Sequence, residues 1–126
     1  MLGECFKNNA MKYIATSLPS DWFLVHAVVT GPSDWKGPTS GKKFVHCWVE
    51  SKDSIFDYTD LDNPARYRRD YWYQEMKPQF VVRLTQQETI LRITHSGHYG
   101  HWRQHPEHIR FSPMPQENAE HRRINP

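Results

Sequence analysis

An α+β fold, an N-terminal helix packed on a small antiparallel sheet, is what three features of the 126-residue sequence predict. The period of the apolar residues changes along the chain in the order α-β-β-β-α-β-α. Neighbouring strand segments are joined by hairpin-type connections, not by the long crossovers that parallel strands require. Five Trp, six Tyr and six Phe supply enough bulky surface for one core, at a length that suits one domain.

Residues 4–17 read as the helix, because Phe6, Ala10, Tyr13 and Ile14 recur at i, i+4, i+7 and i+8 and form one apolar stripe. Pro19 and Ser20 end it. The run 22–30 (WFLVHAVVT) is rich in β-branched and aromatic residues and reads as a buried strand. Residues 31–41 (GPSDWKGPTSG) are loop, and a loop of this length is a natural border for a site. Residues 43–50 (KFVHCWVE) and 54–59 (SIFDYT) form a second strand pair across a short polar turn. Asn63-Pro64 is a helix-start signature, predicting a short helix over 64–73. QFVVRL at 79–84 is a further strand. Thr85 with Glu88 fits a capping box that opens a helix to about Thr94, with Gly97 placed to end it. Residues 1–110 are read as a single domain and 111–126, with three Pro and no periodicity, as a poorly ordered tail.

Sixteen Lys and Arg against 14 Asp and Glu leave a net charge of +2, too balanced for a duplex-DNA binder that needs a one-sided basic field. Two cysteines make no disulfide framework. The N-terminus (MLGECFKNNAMKYI) lacks the apolar stretch of a signal peptide, and no run approaches the roughly 20 apolar residues of a membrane span. The expectation is a soluble cytoplasmic protein with reduced thiols and no membrane partner.

A thiol becomes a nucleophile when its thiolate is stabilised and a base takes its proton. Cys5 sits where the first helix begins, and unpaired N–H groups there favour a thiolate and are placed to bind an oxyanion. His46 lies mid-strand, a rigid mount for a general base, and Asp57 follows 11 residues later across the turn. Parity tests the pair. An even-numbered turn puts 46 and 57 on one face: a four-residue loop sets His46 opposite Asp57, and a two-residue loop at Lys52–Asp53 sets Asp57 opposite Trp48. Either register lets Asp57 orient the imidazole, the third role of a triad.

The order Cys5, then His46-Cys47-Trp48-Val49-Glu50, then Asp57-Tyr58-Thr59 resembles the transglutaminase-like branch of the papain-like cysteine fold, with its H-x-W-x-E and D-x-T segments. The match spans residues 3–60 and implies Cys5 as nucleophile, His46 as base and Asp57 as orienter. The Asn-rich helix and the segment Gly97 to Trp102 also resemble small phage and bacterial proteins of this type.

Other residues carry separate expectations. Trp35, Trp48, Tyr99 and Trp102 are candidates for the walls of a substrate groove. Cys47 alternates with Val45 and Val49 into the core; His26 reads as a buried histidine with a backbone partner; Glu50 reads as a solvated charge at a strand end. His95, His98, His101, His105 and His108 have ligand-like spacing, but Gly97, Gly100 and Pro106 break any continuous helix, so no metal and no cofactor is assigned. The run from Arg66 to Tyr73 mixes bases and aromatics, and is read as aromatics packed inward beneath solvated arginines. The expected function is acyl transfer through a thioester at Cys5, as protease, amidase, deamidase or transglutaminase, on a protein, peptide or small amide. The alternatives are a non-catalytic protein-binding module on the same fold, or a histidine-rich metal or nucleic-acid binder.

Overall fold

A computed structural model of the chain describes residues 4–35 and 37–111. The tail expected from residue 111 therefore lies, from Ser112 on, outside the described residues. The elements run α1 (Glu4–Ala15), β1 (Phe23–Thr30), β2 (Lys43–Glu50), β3 (Ser54–Asp57), β4 (Ala65–Arg68), α2 (Arg69–Met76), β5 (Gln79–Leu84), α3 (Gln86–Ser96) and α4 (Pro106–Arg110). The strands form one sheet in the order β4-β3-β2-β1-β5, every pair antiparallel. This is the α+β class, with the N-terminal helix on the sheet.

Alternation along the strands gives the sheet two buried faces. On one, Leu24, Val28, Val45, Cys47 and Val49 pack against Phe6, Ala10 and Tyr13 of α1. The helix stripe is thus the expected one, with Ile14 only half-buried. Tyr13 fixes its depth by donating its hydroxyl to the Trp22 carbonyl at 2.6 Å. On the other face, Val25, Ala27, Val29, Phe44, Trp48 and Ile55 pack against Trp72 and Met76 of α2. The Trp48 and Trp72 rings meet at 4.4 Å, a pairing worth about 0.5–1.5 kcal/mol beyond area burial. Capping sets α3: Thr85 accepts from the Glu88 N–H while the Glu88 carboxylate accepts from the Thr85 N–H, and Gly97 closes the helix in the left-handed region.

Two expectations are corrected. Asn63-Pro64 does not start a helix. Pro64 leads into the edge strand β4, which pairs with β3 from Asp57↔Ala65 to Ser54↔Arg68, and α2 begins only at Arg69. An edge strand tolerates a preceding proline because no ladder bond is lost there. Glu50 is not a solvated charge. It is 2 % exposed and accepts from the Trp48 indole (3.1 Å), the Tyr73 hydroxyl (2.6 Å) and the Arg83 guanidinium (3.0 Å), with Arg69 3.3 Å away. A buried carboxylate persists only with such a complete set of partners.

The loop between β1 and β2 is closed tightly at its base. Gly31 donates to the Lys42 carbonyl and accepts from the Gly41 N–H, at 2.9 and 2.8 Å. A Cβ on Gly31 would stand 2.0 Å from the Thr39 carbonyl oxygen, so only glycine fits. The loop is thereby held over the α2 side of the sheet.

Candidate active site

Strand β2 gives its odd residues to the α1 face and its even residues to the α2 face, and His46 belongs with Phe44 and Trp48. Its ring lies between theirs, at centroid distances of 6.0 and 6.1 Å. β2 and β3 pair at Val49↔Phe56 and Glu50↔Ile55, and the Ser51 N–H bonds the Ser54 carbonyl at 2.9 Å across Lys52 and Asp53. That register places Asp57 opposite Trp48, the two-residue alternative of those expected from parity. His46 and Asp57 share a side, and Nε2 lies 2.8 Å from Oδ2.

Asp57 is held from behind. Its Oδ1 accepts from the Thr59 N–H (2.9 Å), the Thr59 hydroxyl (2.5 Å) and Asn9 Nδ2 (3.3 Å). Asn9, wholly buried in α1, also lies within bonding distance of the Cys5 and Cys47 carbonyls (2.7 and 3.1 Å) and accepts from the Tyr58 N–H (2.9 Å). One amide thus ties the helix bearing Cys5 to the strands bearing His46 and Asp57. Sequence reasoning passed over Asn9. Its signal was present, because two consecutive asparagines inside a helix run against helix propensity and call for a specific use. Thr59 was visible only as the last letter of the D-x-T segment.

The electrostatics follow from this cage. Burial opposes a charge on His46, but the Asp57 carboxylate outweighs it by charge and hydrogen bond, and the Cys5 thiol adds to the effect. The imidazole pKa rises from 6.5 to about 10. Burial likewise opposes ionised Asp57, and the His46 charge and the His46 and Thr59 hydrogen bonds overcome it, holding the carboxyl well below its usual range. At neutral pH the pair is imidazolium and carboxylate. Nε2 is engaged by Asp57, and Nδ1 makes no close hydrogen bond among the described residues. Cys5 stands in the first turn of α1, 5 % exposed, where backbone N–H groups lack intrahelical acceptors. Cys47 is buried on the α1 face with Val45 and Val49, and burial, followed by the proximity of Cys5 and Asp57, pushes its thiol pKa up. Neither cysteine is in a disulfide.

A cleft of about 330 Å³ opens on the pair. His46, Asp57 and Thr59 lie beside its apolar floor of Phe44, Trp72 and Met76, and Pro32, Asp34, Trp35, Tyr67, Tyr71 and Glu75 complete the lining. Cys5 is not part of that wall. Of the four expected groove residues, Trp35 alone is there. Trp48 is fully buried beneath the cleft against Trp72. Tyr99 and Trp102 lie across the sheet on the α1-side core, where Trp102 stacks on His26 at 5.1 Å. They follow α3, which already packs on α1 on that side of the sheet, and no periodicity in 97–105 announces their place. His26 is fully buried as expected, but among the described residues neither ring nitrogen has a hydrogen-bond partner, and burial, with the neighbouring histidines and Arg92, lowers its pKa to about 3.

Among the described residues no group of three His, Cys, Asp or Glu side chains is placed to hold a metal ion. Three of the C-terminal histidines bond backbone groups: His98 pairs with the Gly100 carbonyl, His105 caps α4, and His108 reaches the Phe80 carbonyl of β5. The arginines of the basic run are largely engaged, Arg68 with Asp70, Arg69 with Glu50 and Arg66 over the Phe56 ring. Among the described residues no helix is long and apolar enough to cross a membrane. Compared with family models, with curated proteins and with solved structures, the chain matches none of them.

Proposed function

We propose that the chain is a cysteine-nucleophile acyl-transfer enzyme of the papain-like, transglutaminase-like kind, with Cys5, His46 and Asp57 as its triad. The observation that carries the reading is the buried 2.8 Å His46–Asp57 pair, whose Nδ1 is left for the thiol of Cys5. A protonated imidazole beside sulfur is the arrangement in which a thiolate attacks and the ring protonates the leaving group.

In that mechanism Cys5 Sγ forms a bond to the carbonyl carbon of an amide. The C–N bond then breaks, the amine leaves with the Nδ1 proton, and an acyl-thioester remains on Cys5. Water or a second amine attacks the thioester, gives its proton to His46, and expels the thiolate. Asp57 keeps the ring oriented and charged at the right moments. Two free cysteines fit a reducing compartment such as the cytoplasm.

One observation favours the second reading, a protein-binding module without chemistry: Cys5 is 5 % exposed and lies off the wall of the cleft. Iodoacetamide labelling, followed by mass spectrometry at each cysteine, separates the two. At pH 7 Cys5 is expected to react about tenfold faster than Cys47, and His46→Ala to slow Cys5 by a similar factor. A Cys5 that reacts no faster than Cys47, or that ignores the loss of His46, removes the enzyme reading and leaves the module.

A further inference from the structure

The cleft beside the pair has a chemical character of its own. Its floor of Phe44, Trp72 and Met76 is buried and apolar, and the aromatic side chains of Trp35 and Tyr71 stand exposed above it. Asp34 and Glu75 are exposed on its wall, and neither is in an ion pair among the described residues. The charge of Asp57 is already answered by His46, and Asp34 and Glu75 are the other acidic groups of the lining among the described residues. Among the described residues no arginine or lysine lines the cleft, although the chain carries 16 of them and a net charge of +2.

We infer that this cleft is a recognition pocket for a cationic side chain of the substrate, an alkyl-guanidinium or alkyl-ammonium group. The inference rests on the acyl-transfer reading for its role but not for its binding. Arginine and lysine side chains are apolar stems with a charged head, and they bury the stem while the head stays at the wet rim. The buried floor accepts the stem. The faces of Trp35 and Tyr71 attract the cation through their ring quadrupoles, and Asp34 and Glu75 supply the opposite charge. At about 330 Å³ the space is at the small end of ligand pockets, which run from roughly 300 Å³ upward, and suits one side chain. In a peptide bound this way the cationic residue neighbours the amide presented to the triad, so Asp34 and Glu75 set specificity and take no part in bond-breaking.

The test uses n-butylguanidinium against its uncharged isostere n-butylurea, titrated into the full chain. The readout is the indole N–H resonance of Trp35, assigned by its loss in Trp35→Phe. Butylguanidinium is expected to saturate and to bind about tenfold more tightly than butylurea, a difference of about 1.4 kcal/mol. The doubly substituted Asp34→Asn, Glu75→Gln chain, altered only at exposed positions, should bring the two ligands level. Equal binding by the wild type, or no saturable shift with either ligand, overturns the inference. Because no thiol chemistry enters this measurement, retained guanidinium binding with an inert Cys5 sinks the acyl-transfer reading alone. A reactive Cys5 with no charge preference sinks the pocket alone.

Discussion

Removing the Asp57 carboxylate should erase one branch of the pH dependence of stability. His46 has a folded pKa of about 10 against 6.5 for the free side chain, so folding tightens its hold on a proton. A raised pKa contributes stability that is complete below about pH 6.5 and is lost as the pH climbs through about 10. The full linkage is 3.5 pKa units, about 5 kcal/mol at the upper bound, for a ring only 6 % exposed. Between pH 7 and pH 9 the wild type should lose about 2–3 kcal/mol of this. In Asp57→Ala the burial that opposes the charge is left without its counterweight, so His46 is neutral throughout that interval and the slope disappears. Urea unfolding at pH 7, 8 and 9 in both proteins measures the effect, and the difference between them removes the contributions that the two proteins share. A ¹³C-labelled His46 ring, followed by NMR, gives the protonation state directly. The electrostatic account of the site is wrong if wild-type stability is level over this range, or if Asp57→Ala keeps the same slope.

Two further substitutions probe the supports. Asn9→Ala strips partners from the Asp57 carboxylate, the Cys5 and Cys47 carbonyls and the Tyr58 N–H at once. It should cost about 2–4 kcal/mol in chemical denaturation, and a cost under about 1 kcal/mol would mean these groups find other partners. His26 is charged on unfolding but not when folded, because its pKa falls from 6.5 to about 3. A depressed pKa gives stability present above about pH 6.5 and lost on acidification, about 2 kcal/mol between pH 7 and pH 5. His26→Leu should flatten that acid limb in urea unfolding, and an unchanged limb would assign it to other groups.

The strands that sequence located best were those whose own residues decide them. The bounds of β2 and β5 follow directly from β-branched and aromatic runs, and the ends of α3 from a capping box and a glycine. Pairing parity put His46 and Asp57 on one side before any contact was known, although it left two registers open. What local pattern left undecided depends on partners distant in sequence. The run Ala65–Arg68 is a strand because β3 lies beside it. Glu50 is buried because Tyr73, Arg69 and Arg83 come to it from two other elements. Tyr99 and Trp102 pack against the α1-side core that holds Cys5 and not on the cleft beside His46, a placement that irregular backbone, which carries no phase, does not announce.

The two-residue turn between Ser51 and Ser54 makes the site a matter of odd and even. Strand β2 sends Val45, Cys47 and Val49 to the packing under α1, and Phe44 and His46 to the cleft. Lengthening the turn by one residue would preserve the composition and both strands, yet it would present Phe56 or Tyr58 where Asp57 now meets His46. Lengthening it by two restores the side and moves only the pairing partner. Length variation at this point is therefore quantised, and the spacing of 11 between His46 and Asp57 is better understood as an odd number than as a distance.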